Sequence, residues 1–236
     1  MEAIVRERLP GKQSAGAVGG MSPGRASLIP PRQQPHETAF NLGFDILLSK
    51  QPSAEKLKEL GAEQKPEGIR VPALNRHLLV DLANREVFVE NGGRAKRTWA
   101  LLVLHYLCAE DVSIDTREVS LGHFPDCRGY LDVFGKRIIG RFLATTGRTS
   151  ERFSQASEQL GATHLGCPGV CYRFDVLPRV PVAIARFEGD EELGPGANVI
   201  YRADANRLLP AEDCIVAAEL LLDVLSGKSM EAGSEG

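Results

Sequence analysis

The sequence is short of long apolar runs, of aromatic residues, of a charge imbalance and of paired cysteines, and each shortage excludes a class of protein. Its longest apolar stretch, Trp99 to Ala109, is interrupted by His105 and is about half the roughly 20 residues needed to cross a bilayer, so no transmembrane helix is expected. Aromatics make up 6% of the chain, with a single tryptophan, so the core has to be built mostly from aliphatic side chains. The 28 basic and 31 acidic residues leave a net charge of −3, too small to predict nucleic-acid binding or strong steering of a charged partner. The five cysteines are an odd number in a chain too long to need disulfide staples, which predicts a reduced, cytoplasmic protein. The first residues, Met1 to Leu9, include Glu2 and Glu7 and lack the apolar segment of a secretory signal, so export is not expected. Familiar phosphate loops, dinucleotide fingerprints, nucleophile elbows and His-Glu-x-x-His zinc helices are all missing from the sequence.

What is present describes a globular protein. Hydrophobic residues are 43% and charged residues 25% of 236, enough for one sizeable domain with appendages. Residues 1–38 are rich in Gly, Pro and Ser with few large apolar residues and are expected to form a disordered tail, as are residues 226–236; residues 39–225 are the expected folded unit. Within it, 40–48 and 54–61 read as short helices, the second capped by Ser53. The β-branched runs 76–81 and 85–90 read as a hairpin. Trp99, Leu102, Val103, Tyr106 and Leu107 recur at the spacing of one buried helical stripe, giving a helix over 96–108. A second long helix is expected over 130–146, with Leu131, Phe134, Ile138 and Phe142 inward and with Gly135 and Gly140 marking a close neighbour. A third covers 150–160, then short strands at 171–176, 182–187 and 198–201 lead to a final helix opened by Pro210. Strand and helix do not alternate, which predicts an α+β fold: a mostly antiparallel sheet packed by helices in a single domain.

Two segments carry candidate chemistry. Asp190, Glu191 and Glu192, in a glycine-rich loop directly after an apolar strand, crowd carboxylates that a hard cation or a basic partner would relieve. Asn198 follows the loop, and Glu212 and Asp213 could converge on it, making these six the candidate ligand-binding residues; a solvated turn is the plainer alternative. His164, Cys167 and Cys171 offer imidazole and thiolate donors of the kind zinc takes, around a Pro-Gly turn. The spacing of those cysteines is not the usual two-residue knuckle, His123 and Cys127 are the only residues that could complete a set, buried apolar cysteines are the plainer alternative, and a redox pair is as weakly signalled as the metal site. His105 and His77 read as satisfied structural histidines, whereas His123 sits in a loop.

The order His105-Tyr-Leu107, Val119-Ser120, Gly129-Tyr130 with Phe134, Arg186-Phe-Glu-Gly-Asp-Glu-Glu-Leu193, Ala197-Asn-Val-Ile200 and Leu209-Pro-Ala-Glu-Asp213 resembles the prokaryotic domain-of-unknown-function family 3786 from about residue 40 to 225. The resemblance implies no activity, cofactor or substrate. It implies a neighbourhood of corrinoid or redox metabolism, since some members look like fusions to an iron–sulfur domain. This chain departs from those in having no cysteine before Cys108. The resemblance also raises the acidic loop above the cysteine pair. The leading expectation is therefore a soluble accessory protein binding a small ligand, metal or metallocofactor. The alternatives are an enzyme using a carboxylate base with Tyr130 or His123 and an anionic substrate held by Arg186 or Arg202, and an interaction module with a protein partner.

Overall fold

Local signals position the first elements. The structure, a computed structural model, describes residues 34–190 and 194–233. It opens with α1 (Gln34–Lys50) and α2 (Ala54–Glu59). The Ser53 hydroxyl caps α2 by accepting the Lys56 N–H at 3.2 Å, as a short oxygen side chain at that position favours. An antiparallel meander of β1 (Glu63–Lys65), β2 (Gly68–Ala73), β3 (Arg76–Asp81) and β4 (Glu86–Val89) follows in that spatial order. The β3–β4 pair is the expected hairpin. β1 and β2 lie where the sequence gives no strand signal, because Pro72 interrupts β2 and its turn uses Leu74 at φ 52°, a backbone region in which leucine is rare. The Leu74 N–H donates to the Asp175 carbonyl at 2.9 Å, so tertiary structure holds the turn.

The apolar stripe of α3 (Arg97–Leu107) is buried as read, with Trp99, Leu102, Val103, Tyr106 and Leu107 all inside. The Tyr106 hydroxyl donates to the Leu60 carbonyl at 2.5 Å, which fastens α3 to the end of α2. After β5 (Glu118–Ser120) and two 3₁₀ segments come α4 (Leu131–Phe134), a π turn over Gly135–Gly140 and α5 (Arg141–Ala144). The continuous helix expected over 130–146 is thus interrupted. Phe134, Ile138 and Phe142 face inward, but Leu131 is exposed. No neighbour explains the two glycines: a Cβ at Gly135 would meet nothing within 4 Å, and one at Gly140 only the Gly135 carbonyl. They bracket the wide turn, where glycine's poor helix preference loosens the α ladder.

Next, α6 (Ser150–Gln159) is capped by Thr149. The second sheet joins β5 to β6 (Thr163–His164), β7 (Val170–Leu177), β8 (Val180–Phe187) and β9 (Gly196–Arg202), in the order β5-β9-β8-β7-β6 with every pair antiparallel. α7 (Ala205–Leu208) and α8 (Ala211–Leu225) complete the α+β fold, so the antiparallel strands form two sheets and not one. A continuous core joins Phe44 of α1, Val80 of β3, Trp99 of α3, Tyr201 of β9 and Leu221 of α8. Because α8 turns Cys214, Ala217, Ala218, Leu221 and Leu222 into that core, its apolar face is occupied within the fold and is not a free docking surface.

Both expected boundaries shift. α1 begins at Gln34, inside the segment expected to be tail; residues 1–33 lie outside the described residues. Residues 226–233, expected to fray, form a strap. Met230 is only 5% exposed. Its carbonyl accepts the Lys96 N–H at 2.8 Å, and the Ala232 N–H donates to the Arg94 carbonyl at 2.8 Å. One methionine in a polar, glycine-containing stretch is invisible to composition but sufficient to dock it.

A buried charge cluster holds the irregular segment before β5. Asp204 is fully buried and accepts from Arg179 at 3.1 Å, from Arg202 Nε at 3.0 Å and from the Asp115 N–H at 3.2 Å. Arg179 also donates to the Val112 carbonyl at 2.7 Å and the Ser113 carbonyl at 3.2 Å.

Candidate functional site

The six carboxylate and amide residues picked from the sequence do not gather at one place. Asp190 lies in the loop after β8, Glu191 and Glu192 lie outside the described residues, and Asn198 is exposed on β9 opposite Ala185. Glu212 and Asp213 begin α8, tied to the far end of β9 by the Tyr201 hydroxyl donating to the Cys214 carbonyl at 3.1 Å. The other end of α8 is the one near the acidic loop. There Thr146 donates to the Leu225 carbonyl at 3.2 Å, and Gly147 accepts from Arg186 at 2.7 Å. Fifteen helical residues, about 22 Å, separate the two ends. Convergence fails because α8 runs back along the sheet and carries its acidic first turn away from the loop.

The arginines expected to hold an anionic substrate are engaged internally. Arg186 is buried, donating to the Gly147 carbonyl, to the Ser150 hydroxyl at 2.8 Å and to Glu188 at 2.5 Å. The hydrogen bond from Ser150, then that from Arg186, lowers the Glu188 carboxyl below its ordinary range. Arg202 is bound to Asp204 at the opposite end of the β8–β9 pair. Tyr130 and His123 are exposed on the helical connection, so this constellation is not assembled.

The expected metal donors are also diverted. Cys167 and Cys171 are joined to each other, with Cα atoms 6.3 Å apart, and while that bond is closed neither sulfur is a thiolate ligand. The His164 ring packs edge-on against Tyr172 at 5.1 Å. Cys127 lies elsewhere, its thiol 3.6 Å from the Ala211 carbonyl. Among the described residues, no three His, Cys, Asp or Glu side chains surround a common point.

What the fold does assemble is a groove over the start of α3. Two adjoining hollows, about 820 and about 630 Å³, share His36 and Thr98. The larger is walled by the beginning of α1, by the turn from β4 into α3 and by the C-terminal strap. Its cations are unequally neutralised. Arg97 is held by Glu37 at 2.7 Å and Glu86 at 2.5 Å, and stacks on Phe40. Arg94 reaches the same Glu86 only at 3.4 Å and its side chain is 68% exposed. Lys96 forms no ion pair with a described residue. The first turn of α3 has neither an acidic residue nor a side-chain cap, so the positive end of its dipole adds to the local potential. In the smaller hollow the charges are mostly matched, Arg137 with Glu219 at 2.5 Å and Lys228 with Asp223 at 2.9 Å, over an apolar floor of Val216 and Leu220.

Glu212 lines the smaller hollow, and its neighbour Asp213 pairs with a histidine of α3. His105 Nδ1 lies 2.5 Å from Asp213 Oδ2, with side chains 34% and 14% exposed. Each charge sits at the helix end that suits it, His105 in the last turn of α3 and Asp213 in the first turn of α8. The hydrogen bond to Asp213 outweighs desolvation and raises the His105 pKa above its ordinary value. With Nδ1–H directed at the carboxylate, Nε2 is the proton-accepting atom of the neutral ring. Sequence reading treats His105 as structural and Asp213 as part of the acidic site. A pair 108 residues apart leaves no local signal.

No curated protein and no solved structure matches the chain. A family model described as a domain of unknown function, DUF3786, matches residues 54–223, which include both His105 and Asp213 and the turn carrying Arg94 and Lys96. α1 and the strap, which supply the remaining walls of the larger hollow, lie outside that span. The match covers more than half of the sequence, and the chain belongs to the DUF3786 family.

Proposed function

We propose that this is a small-ligand-binding accessory protein whose ligand presents an anionic group to the groove over the start of α3. The observation that carries the reading is the cationic rim on one side of that groove, facing Glu37 and Glu231 on the other walls: Lys96 without an ion pair to a described residue, Arg94 weakly held, and an uncapped helix start between them and Thr98. A phosphate or carboxylate there would gain charge-assisted hydrogen bonds from Lys96 and the helix start, competing only with the 3.4 Å pair of Arg94 and Glu86. A cytoplasmic location, read from the odd cysteine count and the absence of an export segment, and a metallocofactor ligand from corrinoid or redox metabolism, read from what the family resemblance implies, belong to the same proposal.

The test is thermal unfolding of the full chain with inorganic phosphate, pyrophosphate, a nucleoside triphosphate and a corrinoid. A ligand at a hundred times its Kd stabilises by about 2.7 kcal/mol. At roughly 2–4 °C per kcal/mol for a domain of this size, the expected rise in Tm is about 5–11 °C, reduced by salt and abolished in Lys96→Ala. No rise with any of the four at millimolar concentration would end this reading.

A second reading is favoured by the His105–Asp213 pair, whose geometry suits a general base acting through Nε2. It predicts chemical conversion of a bound ligand, followed by mass spectrometry. His105→Gln should stop conversion while leaving the thermal shift in place, and a ligand recovered intact from the wild type counts against an enzyme.

A further inference from the structure

We propose that Cys167–Cys171 is an exchangeable disulfide, opened by thiol reductants that enter at Cys167 and closed again by disulfide oxidants. The bond closes a loop of sequence separation 4 between β6 and β7, at one edge of the second sheet. Its two sulfurs differ in access. Cys167 is exposed in the loop, whereas Cys171 is 2% exposed and sits in β7 opposite Ala185. Exchange begins at the accessible sulfur, so the asymmetry fixes which cysteine is attacked and which leaves.

The loop is also held without the covalent bond. The Leu165 N–H donates to the Cys171 carbonyl at 2.9 Å. Gly169, at φ 84°, lies so close to the β8 backbone that a Cβ on it would meet the Arg186 carbonyl at 2.2 Å. Backbone contacts of this kind keep the two cysteines adjacent when reduced, so closing the bond requires little reorganisation. As a staple the bond would constrain little of the unfolded chain, because the loop it closes is short. The other three cysteines behave differently: Cys108, Cys127 and Cys214 are free, and burial pushes each thiol above its ordinary pKa.

The chemistry balances as a two-electron exchange. A thiolate of the reductant attacks Cys167 Sγ, and a new S–S bond forms as the Cys167–Cys171 bond breaks. The electron pair of the broken bond leaves on Cys171 Sγ, which takes a proton from solvent. A second thiol, from a dithiol or another small thiol, then attacks the reductant's sulfur in the mixed disulfide and releases Cys167. The protein gains two electrons and two protons, and two reductant thiols become one disulfide. A disulfide oxidant reverses the sequence. The pair would therefore report the thiol poise of its surroundings independently of the anionic groove.

The full-length protein, equilibrated in glutathione mixtures from wholly reduced to wholly oxidised and then alkylated, tests this by counting thiols by mass. The expected result is a single transition in which two thiols appear together, absent from both Cys167→Ser and Cys171→Ser. In oxidised glutathione, Cys171→Ser should carry one glutathione on Cys167, and Cys167→Ser none on Cys171. A bond that stays closed in fully reduced glutathione, thiols that stay open in fully oxidised glutathione, or equal adduct formation at the two sulfurs would each overturn the proposal. Circular dichroism and Tm of both variants, expected to match the reduced wild type, show that the readout concerns the sulfurs and not unfolding.

Discussion

Replacing Asp204 by asparagine keeps the shape of the buried side chain and removes its charge. In the native protein the carboxylate lies among the Arg179 guanidinium, the Arg202 guanidinium and the Asp115 N–H. Arg179, with its side chain 11% exposed, cannot move into water, and it would face an amide where a counter-charge had been. Removing one partner from a buried ion pair costs about 3–5 kcal/mol. Arg202 is twice as exposed, at 22%, and can turn toward solvent, so the lower end applies, about 3 kcal/mol. For a domain of this size the corresponding fall in Tm is roughly 6–12 °C. Urea unfolding followed by circular dichroism gives the free energy directly. Hydrogen exchange should show faster opening of residues 111–117, where Arg179 holds the Val112 and Ser113 carbonyls. The double variant Arg179→Met, Asp204→Leu should recover part of the loss, because the buried Arg179 charge is removed with its partner while Arg202, 22% exposed, turns toward solvent. A loss below about 1 kcal/mol in Asp204→Asn, or a double variant no better than the single, would refute the claim that these charges depend on one another.

Three further outcomes are expected. The raised pKa of His105 means that the folded protein binds a proton more tightly than the unfolded chain does, so this stabilisation is complete below the ordinary histidine value and fades as pH rises through the folded-state value. Urea midpoints from pH 6 to pH 9 should therefore decline, and the part due to His105 should vanish in Asp213→Asn. Met230→Ala should cost about 2–4 kcal/mol and free the strap, seen as proteolytic trimming back toward Ser226. Tyr106→Phe should cost about 1–3 kcal/mol, because the Leu60 carbonyl at the end of α2 loses its buried donor; an unchanged urea midpoint would contradict the bond.

Elements carried by their own periodicity are legible in the sequence. The stripes of α3 and α8, the Ser53 cap and the β3–β4 hairpin depend on residues a few positions apart, and the structure reproduces them. Elements held by distant partners are not. β2 turns at Leu74 because Asp175 accepts its N–H, and the strap docks because Met230 finds a core that no neighbour in sequence announces. The helix across Gly135 and Gly140 shows the opposite failure, in which a sound inward face hides a change in backbone winding. The candidate site follows the same division. Carboxylate clustering drew the reading to the acidic loop, whereas the groove takes its walls from opposite ends of the chain. Asp213 was selected from sequence for a partner it does not have, and its actual partner His105 comes from the helix that crosses it.

The strap also sets terms for handling the protein. Ala232 and Gly233 line the larger hollow, so a purification tag fused shortly after Gly233 begins close to the groove. A polyhistidine tag placed there would bring metal affinity and positive charge to the spot where an anion is sought, and could mimic or compete with ligand binding. Cleaving it, or moving it to the other end of the chain, becomes part of any binding measurement, and a ligand that binds only the tagged protein would belong to the tag.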